Sequence, residues 1–186
     1  TMNHCLGVVL AGGKSQRMGQ DKAHLQIGQQ SLLRRSQNLL YDCGLKTVVV
    51  SGQSQISDLI AEQGPVGGIF SIYKQCQPKA MLIIPVDLPL LTPTALTRLM
   101  TIGELSQKAV HYNNHSLPIY LPVTGFLENF FAQPELFTGA RGPSIKAMLE
   151  QIPHSTVALT ENEALTNVNS PAQWQKIQTH FNDKRN

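Results

Sequence analysis

Short apolar, β-branched runs alternate with segments of helical periodicity through the first 105 residues, and this alternation leaves the chain few folds. Leu6-Gly7-Val8-Val9-Leu10 is apolar throughout and ends at Gly12-Gly13, the pattern of a strand buried on both faces. Thr47-Val48-Val49-Val50 is a second such run, and Met81 to Ile84 a third, stopped by Pro85 and Pro89. Between the first two, Ser31 to Asp42 places Leu32, Leu33, Leu39 and Leu40 on one helical face, with Ser31 as N-cap and Gly44 as stop. A turn, Gly64-Pro65-Val66-Gly67-Gly68, leads into a helix expected from Ile69 to about Gln75. Thr92-Pro93 reads as a cap followed by proline at the first helical position, with Leu96, Leu99 and Met100 facing the core. Strands alternating with helices predict parallel pairing, hence an α/β fold: a doubly wound, mostly parallel sheet between two layers of helices.

The C-terminal half is irregular. Ala109 to Tyr112 and Leu117 to Leu121 flank Asn113-Asn114-His115, a hairpin pattern. Pro143 to Gln151 and Pro171 to Asn182 read as helices, with Thr156 to Leu159 as a strand between them. No repeat and no low-complexity linker interrupts the chain, so residues 1–186 are expected to form a single domain.

Composition removes several classes of function. Of 186 residues, 41% are hydrophobic and 15% charged, too apolar and too weakly charged for a disordered chain. No apolar run approaches the roughly 20 residues of a membrane span. No leader-like segment precedes Leu6, and the three cysteines (Cys5, Cys43, Cys76) include no CxxC pair. The expected compartment is therefore the reducing cytoplasm. A net charge of +3 without a basic tract speaks against nucleic acid and leaves room for a small anionic ligand.

The stretch Leu10-Ala11-Gly12-Gly13-Lys14-Ser15-Gln16-Arg17-Met18-Gly19-Gln20-Asp21-Lys22 carries the chemistry. Glycines without a Cβ let backbone amides approach an anion, and successive exposed N–H groups form an anion-binding concavity. A Gly-Gly after a strand is by itself only a tight turn. Lys14, Arg17 and Lys22 add three cations beside it, Arg17 suited to forking phosphate oxygens and Lys22 to acting as a point charge. The chain has neither a GxxxxGK[ST] loop nor a GxGxxG after the strand, which disfavours a P-loop hydrolase and a dinucleotide oxidoreductase.

These residues resemble a family signature. LAGGKSQRMGQDK is similar to the LAGGxSxRMGxDK motif of the molybdenum cofactor guanylyltransferases, within the glycosyltransferase-like nucleotidyltransferases. Gly64-Pro65-Val66-Gly67-Gly68-Ile69 resembles that family's GPLAGI turn, Pro85-Val86-Asp87-Leu88-Pro89-Leu90-Leu91 its PCDMPFL stretch, and Asn167-Val168-Asn169-Ser170-Pro171 its NVNTP. The four motifs occur in family order over most of the chain. Sister families usually carry AAG at the first motif, so Gly12 tilts the resemblance towards the guanylyl branch.

The resemblance implies a nucleotide-diphospho-sugar transferase-like fold, with a nucleotide-binding half over 1–105 and an acceptor-binding half over 106–186. It implies transfer of GMP from GTP to a molybdopterin-type acceptor carrying molybdenum, with release of pyrophosphate. Leu10, Ala11, Gly12 and Gly13 would cradle GTP, Arg17 and Lys22 would offset phosphate charge, and Asp87 would hold Mg²⁺. The bland reading of Asp87 is a turn stabilised by its side chain. For the base, Asp58 resembles the family's guanine-reading aspartate if one residue is deleted before Gly64, with Ser57 at the ungapped position and Glu62 nearby. Asn167 and Asn169 are implied in acceptor binding, or they form an Asx turn before Pro171; both can hold. Arg141 matches a family arginine and would meet an acceptor phosphate, or it is simply solvated. Expected partners are GTP, the pterin, and a delivery protein or apo-molybdoenzyme.

Histidines at 4, 24, 111, 115, 154 and 180 show no HxH or HExxH spacing, so they suggest no rival metal site, and no GxSxG elbow suggests a serine hydrolase. Two other functions stay open from sequence: a relative using CTP or another acceptor, and a non-catalytic nucleotide-binding module.

Overall fold

β1 (Cys5–Leu10) is the hub of the sheet. In the computed structural model, which describes residues 5–11, 26–27, 30–52, 63–160, 162–166, 168 and 170–183, β1 pairs in parallel with β4 (Val48–Ser51) on one side and with β5 (Ala80–Pro85) on the other. β7 (Ile119–Pro122) joins β5 in antiparallel register, β6 (Ala109–Tyr112) joins β7 antiparallel, and β8 (His154–Val157) joins β6 in parallel. The six-stranded order is β4-β1-β5-β7-β6-β8, and among these strands only β7 runs against the rest. A separate two-stranded ribbon, β2 (Gln26–Ile27) with β3 (Gln30–Ser31), precedes the first helix.

Burial on both faces follows from the apolar strands. On β5, Leu82 and Ile84 face one cluster with Val9, Leu40, Leu96, Leu99 and Tyr112. Met81 and Ile83 face the other, with Val8, Ile69, Ile72, Phe130 and Met148. The first layer is made by α1 (Leu32–Asp42) and α3 (Pro93–Ser106), the second by α2 (Gly64–Cys76), α4 (Gly125–Phe131) and α5 (Ile145–Glu150). This is the expected three-layer, mostly parallel α/β arrangement.

Caps set several helix starts. The Ser31 hydroxyl accepts from the Arg34 amide at 3.1 Å, and the Thr92 hydroxyl from that of Ala95 at 3.3 Å. Ser144 does the same for Ala147 at 3.0 Å, so α5 begins at Ile145 rather than at Pro143. β8 begins at His154, earlier than Thr156, because its register with β6 pairs Ala109 with His154. On α1 the fully buried positions are Leu32, Ser36 and Leu40, while Leu33 and Leu39 flank them half-buried. Leu32 belongs to a third, small cluster with Ile27, Val168 and Ile177, through which α6 (Pro171–Asp183) packs on the start of α1. Neither the β2–β3 ribbon nor α4 is evident in the sequence pattern.

Gly103 shows how tightly α3 lies on the sheet. A Cβ there would overlap the ring of Tyr120 on β7. Alanine is ordinarily about 1 kcal/mol better than glycine in a helix, but here overpacking wins. Gly103→Ala is expected to destabilise the protein by roughly 1–3 kcal/mol in urea unfolding. An unchanged or raised midpoint would contradict the packing described.

Candidate active site

Three parallel strands end flush. Leu10 is level with Ser51 of β4 and with Pro85 of β5, so the chain leaves the sheet at three adjacent points: Ala11 after β1, Gly52 (φ +73°) after β4 and Val86-Asp87 after β5. In open α/β sheets this carboxyl edge is where ligands sit. α2 starts on the same edge, because a Cβ on Gly68 would lie 3.4 Å from that of Ser51 and 3.7 Å from Leu10. The expected glycine turn is in fact the first turns of the helix, which begins at Gly64 (φ +71°) with proline in its opening turn. Gly67 is needed inside the helix because a Cβ would come 2.7 Å from the Gln63 Cβ. The helix therefore brings its unpaired N–H groups and positive dipole end to the edge.

Asp87 lies two residues beyond β5 and is half-buried between the buried side chains of Val86 and Leu88. Its backbone is held from two directions. The Val168 amide donates to the Asp87 carbonyl at 2.9 Å. Arg35 of α1 donates through Nη2 to the Pro89 carbonyl at 3.3 Å, its guanidinium 4.7 Å from the centre of the Phe181 ring. Burial lowers the pKa of this arginine from its ordinary value. A carboxylate so fixed is a hard oxygen donor, and Mg²⁺ typically asks for one or two protein carboxylates beside substrate phosphates. The site thus fits Mg²⁺, although the described residues contain no group of three or more His, Cys, Asp or Glu that could hold an ion by themselves.

Leu10, Ala11 and Asp87 are brought to this one edge. Arg141 is exposed on the loop before α5. That loop reaches the start of α2: Gln63 Nε2 donates to the Gly139 carbonyl at 3.3 Å. Gly12, Gly13, Arg17, Lys22, Asp58, Asn167 and Asn169 lie outside the described residues. Val168, between the two asparagines in sequence, is fully buried and bonded to Asp87. Two residues went unnoticed in the sequence. Ser51, only 5% exposed, stands between Leu10 and Gly68, and a polar residue closing an apolar strand was its available signal. Gln63 had none.

Two histidines away from the edge are engaged with the fold. His111 and His154 stack at 6.0 Å, and their Nδ1 atoms meet backbone oxygens, His111 those of Tyr112 and His115, His154 that of Ile152. A cleft of about 480 Å³ lies between α1 and the segment from Ile84 to Pro93, bordering the Asp87 turn through Val86 and Leu88, with Arg35, Asn38 and Asp42 in its wall.

The MobA-like NTP transferase domain model matches residues 7–159. A molybdenum cofactor guanylyltransferase from Xanthomonas euvesicatoria pv. vesicatoria is 34% identical over 179 residues, covering 92% of this chain and 93% of that protein. The molybdopterin-guanine dinucleotide biosynthesis protein A of Archaeoglobus fulgidus superposes with a TM-score of 0.71 over 96% of this chain and 99% of its own, at 15% identity. The 2-C-methyl-D-erythritol 4-phosphate cytidylyltransferase of Thermus thermophilus superposes with a TM-score of 0.66 over 94% and 98%, at 14% identity. At those identities the structures speak for the fold alone.

Cysteine chemistry is remote from the site. Burial, reinforced by the charge of Glu104 and opposed by a backbone bond at Leu82, raises Cys5 from 9.0 to about 12. Burial, opposed by a bond to Thr97 and reinforced by the charge of Asp42, raises Cys43 to about 11. Both are neutral thiols at pH 8, whereas Cys76 is exposed. Alkylation at pH 8 is expected to label Cys76 at least about tenfold faster than the other two, because the thiolate is the nucleophile. Equal rates would contradict the burial described. Since the folded values exceed 9.0, stability from these thiols is complete below that pH and erodes as pH rises towards 11–12.

Proposed function

The chain belongs to the MobA-like NTP transferase domain family, and on that premise we propose that it transfers GMP from GTP to the terminal phosphate of molybdopterin carrying molybdenum, releasing pyrophosphate. One observation carries the reading. The Val168 amide donates to the Asp87 carbonyl, so two motifs far apart in sequence, one acidic and one asparagine-bearing, meet at the edge where β1 ends and α2 begins.

The reaction forms a bond between an oxygen of the acceptor phosphate and the α-phosphorus of GTP, and breaks the bond from that phosphorus to the bridging oxygen of pyrophosphate. A phosphate monoester has its second pKa near ~6 and is mostly ionised at pH 7, so the nucleophile needs no general base. What must be overcome is repulsion between anions and misalignment of the attacking and leaving oxygens. The backbone from Leu10 to Gly13 cradles the triphosphate, with the α2 N-terminus facing the same edge. Arg17 and Lys22 offset phosphate charge. Asp87, pinned through its carbonyl, presents a carboxylate that would hold Mg²⁺. When bound, Mg²⁺ neutralises phosphate charge as it develops on the leaving oxygen.

Asn167 and Asn169 are assigned to the acceptor, with Arg141 meeting its phosphate, within the half of the chain from residue 106. The nucleotide is held by the half up to residue 105, and Asp58 is assigned to the guanine. The setting is cytoplasmic, where a delivery protein or an apo-molybdoenzyme takes the product; no described helix is long and apolar enough to cross a membrane.

Magnesium-dependent pyrophosphate release in the presence of molybdopterin should be at least about tenfold faster with GTP than with CTP or ATP, as expected where the site's donors and acceptors match one base. Preference for CTP would assign the chain to a different branch, and tight GTP binding without turnover would mark it as a binding module. Asp87→Ala should lower kcat by roughly 10²-fold or more while leaving the melting temperature nearly unchanged. Lys22→Ala should lose rate and little stability, as expected of a lysine whose charge serves the substrate phosphates rather than the fold. Near-normal turnover of Asp87→Ala with magnesium would overturn the metal assignment.

A further inference from the structure

We propose that Gln63 is a positioning residue, whose side-chain amide locks the loop from Gly139 to Gly142 onto the start of α2 and so sets how the acceptor is held. The proposal rests on the guanylyl-transfer reading and deepens it.

Three contacts seat the loop. Gln63 Nε2 donates to the Gly139 carbonyl at 3.3 Å. The backbone of Gly142 lies so close to that of Gln63 that a Cβ at 142 would overlap the Gln63 carbonyl oxygen. Phe137, just before the loop, sits 5.0 Å from the ring of Phe70 on α2. Only the first of these is a directional bond to the loop itself. Arg141 is exposed, so its own side chain has little packing to fix it, and the backbone around it decides where its charge stands. Glycines on both sides, at 139 and 142, make that backbone free to swing unless it is tied.

Gln63 is an expensive choice if packing were its purpose. Its Oε1 is buried and has no hydrogen-bond partner among the described residues, which costs the desolvation of an acceptor. An apolar side chain of similar length would avoid that cost. The donor is what an apolar residue lacks, and the donor is the atom that reaches the loop. Because Gln63 directly precedes Gly64, the first residue of α2, the same residue joins the nucleotide-facing helix to the loop bearing Arg141.

Gln63→Met removes both the donor and the orphan acceptor, and Gln63→Glu keeps the length but sets a carboxylate against the Gly139 carbonyl. In steady-state assays of the full chain with GTP, magnesium and molybdopterin, both variants should raise the KM for molybdopterin about tenfold, with kcat and the GTP dissociation constant held within about twofold. The melting temperature of Gln63→Met should hold or rise. Without any substrate, hydrogen exchange of the amides at 139–142 should be about fivefold faster or more in both variants, as expected when a local tie is lost. An unchanged acceptor KM in both variants, or a raised KM accompanied by lost GTP affinity and a lowered melting temperature, would overturn the proposal. Unchanged exchange would overturn the tie whether or not the wild type turns over. Accelerated exchange with a wild type inert towards molybdopterin would leave the tie standing and remove the guanylyl-transfer reading instead.

Discussion

The flush parallel pairing of β1 with β4 and β5 is the constraint on which the rest depends. Because Leu10, Ser51 and Pro85 share one level, three chain exits open side by side, and each can carry a different part of one ligand's contacts. A slip of one residue on any strand would turn its side chains to the opposite face. That slip is opposed by close packing on both faces: Val8 and Val9 or Ile83 and Ile84, all inaccessible to solvent, each fill a place in a different cluster, and exchanging them would leave voids on one side and overlaps on the other. Precision at the site edge is thus a by-product of a well-packed sheet.

On that frame the acidic turn is anchored through its backbone: Val168 and Arg35 bind carbonyl oxygens at Asp87 and Pro89. Chemistry that consists of charge neutralisation and alignment asks for this kind of pre-set geometry and little else. Histidines held by backbone carbonyls and thiols shifted away from reactivity fit a reaction in which the nucleophile arrives already ionised.

Much of the central architecture was legible because each signal was local and chemically forced. Apolar runs of four or five residues read as buried strands, and Ser31 and Thr92 announced their helices by capping chemistry. What escaped was set at a distance. α2 begins at Gly64 rather than Ile69 because Gly67 and Gly68 allow close approach to Gln63 and Ser51, and no local rule tells a glycine turn from a glycine-rich first helical turn. α4 has seven residues and no side-chain cap bond, so it gave no start signal. β8 took its limits from its partner β6 rather than from its own β-branched residues. For the site, Leu10, Ala11, Gly12, Gly13 and Asp87 could be named from motif and order, while Gln63 could not, because its role exists only once a loop from residue 139 onward folds back upon it.

The most direct measurement is a crystal structure of the chain with a non-hydrolysable GTP analogue and magnesium. The account predicts the triphosphate over the carboxyl edge between Ala11 and the first turn of α2, with the metal on the Asp87 carboxylate. A nucleotide seated instead in the cleft between α1 and Pro89, or metal bound away from Asp87, would contradict it.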